Sequence, residues 1–467
     1  MQRPEKEDKM GRAPVSKLML FMGVPMIVSM MLQALYNIVD SAFVSNMAQN
    51  GEAALDALTL AFPLQMLMVA VGVGTGVGAN ALAARCLGNA DHERASLTAG
   101  NAQFLCLVIY VCFVLFGLFG VRPYIASQTT NLEICGMAVD YLSICCLASL
   151  GLILFASYEK LLQASGHSVH STVAQVAGAV TNIVLDPVMI YGLLGCPEFG
   201  VRGAAYATVI GQWVSGLLGL LFHLQVNRRV MSHSLRYYKP NGTIIRGIYA
   251  IGLPAMIAQA LMSVMTYGLN IILVAVGESL VTAYGLYYKI QQFILFAAFG
   301  LRDAITPIVA FANGMGNKPR IREGIKYGQL YTFAIMLAGT AAVELFAVPC
   351  AHVFGLNGET EALCVSAMRI ISVSFVFAGA NLAMQGVFQA LDGGVESLIV
   401  SLSRQIVFVL PTAWLFAQTV LRTRTSPSLI WLTFIISEAA TAAVSAALLA
   451  RTGKKTGIWE LRTKKAG

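Results

Sequence analysis

The chain has 467 residues, of which 57% are hydrophobic and only 12% are charged, and its mean hydropathy is +0.71. Soluble domains carry about a quarter charged residues, so this composition excludes an ordinary soluble protein. The formal net charge of +8 does not indicate nucleic-acid binding, because the basic residues lie in loops between apolar segments. The nine cysteines show neither a disulfide framework nor zinc-ligand spacing.

Apolar runs of about 20 residues, the length that crosses the ~30 Å hydrocarbon layer, recur along the chain. The first run follows a basic start, but no small-residue cleavage site comes after it, so a signal peptide is not expected. The runs predict twelve membrane spans, at roughly 18–44, 57–80, 96–119, 136–158, 170–192, 203–224, 248–274, 282–311, 327–349, 364–387, 397–421 and 429–450.

The longest polar stretch between spans divides them six and six. The predicted fold is therefore an all-α membrane protein with twelve transmembrane helices in two six-helix lobes. Its predicted parts are a cytoplasmic tail (1–17), an N-terminal lobe (18–224), a cytoplasmic inter-lobe loop (225–247), a C-terminal lobe (248–450) and a basic cytoplasmic tail (451–467).

The distribution of basic residues predicts the orientation in the membrane. Of the 31 lysine and arginine residues, 23 lie in the tails and in the loops on the side of the N-terminus, and four lie in the loops on the other side. Basic loops stay in the cytoplasm. We therefore expect a multi-pass protein of the cell membrane with both termini in the cytoplasm.

The two halves of the chain repeat one another. Gly-Val-Pro at 23–25 matches Gly-Leu-Pro at 252–254, Gly-Asn at 88–89 matches 316–317, Gln-Ala at 163–164 matches 389–390, and Pro187 matches Pro411. Each half has an even number of spans, so both insert with the same orientation. The repeat predicts a pseudo-two-fold axis along the membrane normal and a binding site between the lobes.

Two acidic residues, Asp40 in the first span and Asp186 in the fifth, lie inside apolar segments. A carboxylate at membrane depth costs at least a few kcal/mol, so such a residue is a candidate functional group. Asn182 shares a helix face with Asp186 because the two are four residues apart. The alternating direction of the spans places Asp40, Asp186 and Thr208 in the outer half, where these three residues and Asn182 can meet.

This set of residues has the chemistry of a cation or proton site. Carboxylate oxygens suit a hard cation such as Na⁺, and Pro187 should kink the fifth span and free a backbone carbonyl. Two neighbouring buried carboxyls also favour holding a proton. Tyr36 and Asn37 precede Asp40 in the same motif and are expected to support the site. The alternative is a structural polar cluster that joins helices.

The second half lacks this acidic pair at the corresponding positions. Leu410 precedes Pro411 where Asp186 precedes Pro187, and Leu269 stands opposite Asp40. We therefore expect ion coupling in the N-terminal lobe alone. Lys289 and Arg302 lie in the eighth span. Such a basic side chain could pair with Asp303 or face the lumen, and the sequence leaves both alternatives open.

These residues carry a family resemblance. The motifs are Leu-Tyr-Asn-Ile-Val-Asp-Ser-Ala-Phe-Val at 35–44, Gly-Ala-Val-Thr-Asn-Ile-Val-Leu-Asp-Pro at 178–187, Gly-Ala-Ala-Tyr-Ala-Thr at 203–208 and Ser-Arg-Gln at 403–405. Over about residues 15–450 the chain resembles the multidrug and toxic compound extrusion family, in particular its MepA-like branch. The resemblance implies two lobes in a V shape, drug/cation antiport by alternating access, and a cation site on Asp40, Asn182, Asp186 and Thr208.

The expected function is secondary active efflux of amphipathic, often cationic organic compounds against H⁺ or Na⁺. The expected partners are these small molecules and the lipid bilayer, with no nucleic acid, no obligate protein partner, no cofactor, and no metal beyond a possible Na⁺. A flippase for a lipid-linked oligosaccharide is the alternative within transport, although it would prefer a cavity lined with arginine. An intramembrane enzyme is not expected, because no catalytic motif such as HExxH is present.

Overall fold

The described part of the chain forms helices and connecting turns. The computed structural model describes residues 9–47, 51–353 and 358–459. Its α-helices are α1 Lys9–Arg12, α2 Val15–Ser45, α3 Gly51–Gly88, α4 His92–Phe119, α5 Val121–Ala126, α6 Leu132–Leu147, α7 Leu150–Ala164, α8 Ser168–Tyr191, α9 Val201–Val226, α10 Gly242–Val274, α11 Glu278–Gly314, α12 Lys318–Val353, α13 Gly358–Ser372, α14 Phe375–Ala390, α15 Gly394–Leu402, α16 Val409–Thr423 and α17 Leu432–Thr456. Shorter elements are the 3₁₀ turns Leu193–Gly195, Leu235–Tyr238 and Pro427–Trp431 and the π-helical segment Ser403–Val407.

The helices confirm the predicted all-α membrane fold. Ten helical stretches of the described chain are long and apolar enough to cross a membrane. Two further crossings each consist of two helices that meet at an angle, 48° between α6 and α7 and 51° between α13 and α14. With each bent pair counted as one crossing, there are twelve spans, as the hydropathy predicts.

The two bent pairs occupy corresponding places, the fourth and the tenth span. A buried serine stands directly before the second helix of each pair, Ser149 before α7 and Ser374 before α14. The Ser374 hydroxyl donates to the Ile371 carbonyl at 2.7 Å. Such a bond back to the preceding turn competes with the regular helical bonds and favours a break.

The chain forms two compact units, and their boundaries fall inside helices. The N-unit is Val24–Met256, and the C-unit combines the chain up to Gly23 with Ile257 and all that follows. The boundary in α2 falls within Gly-Val-Pro at 23–25, and the boundary in α10 falls two residues after Gly-Leu-Pro at 252–254. Proline inside a helix removes a backbone hydrogen bond and is a common bending point.

Glycine contacts explain why the first half of α10 belongs to the N-unit. A Cβ on Gly78 would lie 2.0 Å from the Ile248 carbonyl oxygen, and one on Gly74 would lie 2.9 Å from that of Gly252. Only glycine permits so close a backbone approach between α3 and α10. In the C-unit, likewise, a Cβ on Gly23 would lie 2.7 Å from the Leu301 side chain of α11.

The segment between α9 and α10 packs on the N-unit through Asn101 of α4. The backbone N–H of Asn241 donates to Asn101 Oδ1 at 2.8 Å, and Asn101 Nδ2 donates to the Lys239 carbonyl at 3.3 Å. Asn101 is fully buried. The predicted inter-lobe loop is thus held by specific hydrogen bonds over this stretch.

Candidate cation site

The candidate site of the N-unit depends on the close packing of α8 against α9. A Cβ on Gly178 would lie 2.5 Å from the Gly211 carbonyl oxygen, and one on Gly211 would lie 2.7 Å from that of Gly178. These two glycines let the helix backbones touch. The contact sits one turn from Asn182, so it brings the polar side chains of both helices into range.

Asn182 lies at the centre of the site. Its Nδ2 donates to Asp186 Oδ1 at 3.2 Å, along one face of α8, and to Thr208 Oγ1 at 3.5 Å, across to α9. All three side chains are buried, Asp186 completely. The structure therefore brings together three of the four predicted residues.

Asp40 of α2 approaches the same group. The Tyr191 hydroxyl at the end of α8 donates to the Phe43 carbonyl of α2 at 2.6 Å, and the two rings pack edge to face. This bond holds α2 and α8 together about one turn from each carboxyl group. Asp40 is 9% exposed and interacts electrostatically with Asp186.

Three acceptor oxygens of the site are buried without a hydrogen-bond donor. They are Asp40 Oδ1, Asn182 Oδ1 and Asp186 Oδ2, and none receives a donor from the described residues. A buried acceptor left without a partner costs about 1–3 kcal/mol, and more when it is charged. An oxygen set of this kind fits a proton or a hard cation such as Na⁺.

The structure describes Tyr36 and Pro187, two of the three predicted supporting residues. Tyr36 lies one turn before Asp40, half-buried, and interacts electrostatically with it. Helix α8 runs through Pro187 to its end at Tyr191; because proline has no N–H, the Ile183 carbonyl lacks its helical donor. The side chain of Asn37 is outside the described part of the structure.

Comparison with known proteins decides the family. The MatE family model matches residues 25–188 and 254–415, one stretch in each half of the chain. Together the two stretches make up more than half of the chain. The chain belongs to the MatE family. The predicted resemblance to multidrug and toxic compound extrusion proteins, in their MepA-like branch, is confirmed.

Curated MatE relatives cover most of the chain. The multidrug export protein MepA of Staphylococcus haemolyticus is 24% identical over 396 residues, 85% of this chain and 86% of that protein. The MepA of Staphylococcus aureus (strain bovine RF122 / ET3-1) is 25% identical over 401 residues, again 85% and 86%.

Solved transporter structures share the fold over nearly the whole length of this chain. A multidrug resistance MATE transporter in an outward-facing conformation superposes with a TM-score of 0.88 at 26% identity, covering 97% of this chain and all of that one. A transporter from Pyrococcus furiosus superposes with a TM-score of 0.87 at 25% identity, covering 98% of this chain and all of that one.

In this MatE chain the structure adds polar residues near Asp40 that the sequence did not single out. Tyr141 and Cys145 of α6 both interact electrostatically with Asp40. Gln65 of α3 donates to the Tyr141 hydroxyl at 3.1 Å and lies 3.7 Å from Cys145 Sγ. The sequence signal for these additional polar residues was Gln65, a glutamine within the apolar second span.

Three ion pairs lie inside spans of the described C-unit, and one of them is the largely exposed pair of Arg369 and Glu344 at 4.0 Å. Arg302 and Asp303 of α11 pair at 2.8 Å, which settles the structural pairing left open for Arg302. Arg404 pairs with Glu438 at 2.8 Å. Glu438 was missed because the halves were compared only at the positions of Asp40 and Asp186, although a glutamate within an apolar span is itself a signal.

Proposed function

We propose that this MatE transporter exports amphipathic, often cationic organic compounds in exchange for H⁺ or Na⁺, with the coupling ion bound at Asp40, Asn182, Asp186 and Thr208. The observation that carries the proposal is the group of three buried oxygens without donors described above. A proton or Na⁺ would compensate them, and both are ions that membrane gradients supply.

Coupling requires that the ion interact differently with the states of the transporter. The site joins side chains from α2, α8 and α9. A cation held by Asp40 and Asp186 would draw α2 toward α8, whereas two bare carboxylates would repel each other. Ion binding would thereby bias the packing of α2, and alternating access would follow from that bias.

The relatives support the substrate class. The similar staphylococcal proteins are named multidrug export proteins, and a similar solved structure is described as a multidrug resistance transporter. We extend multidrug export to this chain on that basis. We also place it in the cell membrane with both termini in the cytoplasm, on the distribution of its basic residues.

Transport in proteoliposomes tests the proposal. Efflux of a fluorescent organic cation is measured under an H⁺ gradient and, separately, under a Na⁺ gradient; one of them should drive uphill transport. Asp40→Asn and Asp186→Asn should each abolish gradient-driven transport, because the amide keeps size and polarity but cannot exchange a proton or carry the charge.

The matched control is Asp140→Asn. Asp140 makes an exposed ion pair with Arg202 at 2.7 Å, and an exposed pair contributes little. This variant should transport normally. Near-normal transport by Asp40→Asn or Asp186→Asn at equal protein density would exclude that residue as a coupling group.

The lipid-linked oligosaccharide flippase finds less support. Recognition of a pyrophosphate needs arginines with free donors. Three arginines lie inside described spans of the C-unit, and each pairs with a carboxylate. Arg302 pairs with Asp303 and Arg404 with Glu438, both at 2.8 Å, and Arg369 pairs with Glu344 at 4.0 Å.

A further inference from the structure

A buried ion pair joins the eleventh and twelfth spans. Nε and Nη2 of Arg404 both donate to Glu438 Oε1, at 3.0 and 2.8 Å. The two residues are 9% and 8% exposed. Because charge-assisted bonds of this kind are short and directional, the pair fixes the position of each side chain closely.

Asn381 of α14 extends the pair into a network across three spans. Its Nδ2 donates to Glu438 Oε2 at 2.8 Å and to the Glu438 backbone carbonyl at 3.0 Å, and its Oδ1 accepts from Ser445 at 3.0 Å. Each carboxylate oxygen of Glu438 therefore has a donor, unlike Asp40 Oδ1 and Asp186 Oδ2 of the N-unit site. A cavity of about 330 Å³ borders Asn381 and Ser445.

Arg404 lies in the π-helical segment Ser403–Val407, which separates α15 from α16. Here the Phe408 N–H donates to the Ser403 carbonyl at 3.0 Å, five residues back. A π-segment is rare and strained compared with an α-helix, and such segments are frequent at functional sites. Gln405 in the same segment donates to the Ala258 carbonyl of α10 at 3.4 Å.

The corresponding helix pair of the N-unit, α8 and α9, meets through two glycines. There α8 is one regular helix from Ser168 to Tyr191, and it meets α9 through the contact of Gly178 and Gly211. A six-helix lobe of this kind therefore does not need an ion pair between its fifth and sixth helices in order to fold. The C-unit retains a costly buried pair that its scaffold does not require.

We propose that Arg404, Glu438 and Asn381 form a latch that positions the π-helical segment of the eleventh span for the transport cycle. Arg404 and Glu438 are positioning residues in this view. Glu438 takes no part in ion coupling, because its oxygens are already occupied by Arg404 and Asn381. The inference rests on the transport function proposed above, since turnover is its main measure.

The test separates folding from turnover by replacing the whole pair. Removing one partner leaves an unpaired buried charge and destabilises the protein, whereas replacing both partners by apolar residues is often neutral for stability. The double variant Arg404→Met/Glu438→Leu should therefore keep a melting temperature near that of the wild type. We expect its transport turnover to fall about tenfold, with KM for the organic substrate and the ion dependence unchanged.

Two further variants complete the design. Arg404→Lys keeps the charge but loses the two-pronged geometry, so it should fold and turn over several-fold more slowly even if the double variant does not fold. The control Arg202→Met/Asp140→Leu removes an exposed pair of the same type and should have no effect on turnover.

Wild-type turnover in the double variant, or in Arg404→Lys if only that variant folds, would reduce the network to structural packing and overturn the proposal. A changed ion dependence would overturn it in another way, by making Glu438 a coupling group. Absence of gradient-driven transport in the wild type would count against the proposed function itself, so the two failures are distinguishable.

Discussion

The spacing of α8 and α9 should control how tightly the coupling ion is held, and Gly211→Ala tests this directly. The added methyl group would lie 2.7 Å from the Gly178 carbonyl oxygen and 3.1 Å from Asn182 Cβ. Because a comfortable carbon–oxygen contact is about 3.4 Å, the helices must separate by roughly 0.7 Å. The bond from Asn182 to Thr208, already 3.5 Å long, would then be lost.

The magnitude follows from these two changes. Overpacking a helix contact costs about 1–3 kcal/mol of stability. The lost hydrogen bond is worth about 1 kcal/mol, which corresponds to roughly a fivefold weaker apparent affinity for the coupling ion. Initial transport rates measured as a function of ion concentration would show the shift, and a thermal melt would show the loss of stability.

Gly136→Ala is the matched control. Gly136 lies in α6, and a Cβ there would meet nothing within 4 Å. This variant should keep the ion affinity and gain slightly in stability, because alanine favours the helix by about 1 kcal/mol over glycine. A wild-type ion dependence in Gly211→Ala would refute the role given to the α8–α9 spacing, as would an equal shift in both variants.

Three other predictions concern the C-unit and the orientation of the chain. Leu410→Ala should slow transport or lower stability but leave the ion stoichiometry unchanged, because no acid stands at this position; a changed stoichiometry would end the single-lobe coupling model. A single cysteine at position 357, outside the described residues, should react with an impermeant thiol reagent on intact cells, whereas one at position 318 should react only after permeabilisation. The reverse labelling pattern would invert the protein. Lys289 is exposed although it lies within a spanning helix, so Lys289→Cys should react with a charged thiol reagent, since a charged side chain at this depth normally faces water. Failure to react would place this face of α11 against lipid.

The sequence predicted the spans well because a membrane span is recorded in composition over some 20 residues. It did not predict that the fourth and tenth spans break. The break depends on local competition for hydrogen bonds around single serines such as Ser374. Hydropathy averaged over the whole span does not detect such a local effect. The sequence likewise did not predict the unit boundaries inside α2 and α10, because these boundaries depend on which helices the two segments contact.

The site was predictable where depth and helical spacing sufficed. The four-residue interval placed Asn182 beside Asp186, and the direction of the spans placed Thr208 at the same level. The sequence did not reveal Tyr141, whose helix carries no periodic polar signal, or the partner of Arg404. Both depend on which faces of the helices pack against each other, which the pattern of one chain does not encode. The coupling role of the site stays a prediction.

Helix α2 contributes residues to both units, and it carries Asp40 of the proposed ion site. Asp40 belongs to the N-unit, yet the same helix begins at Val15, and its first turns pack within the C-unit, where Met19 lies beside Gly328 and Gly23 beside Leu301. From Met19 to Asp40 the helix rises about 30 Å. Pro25 lies between these two positions, and because proline removes a helical hydrogen bond, α2 should bend most easily there. On the proposed function, a substitution in the first turns of α2 would therefore alter coupling, although these turns lie far from the proposed ion ligands.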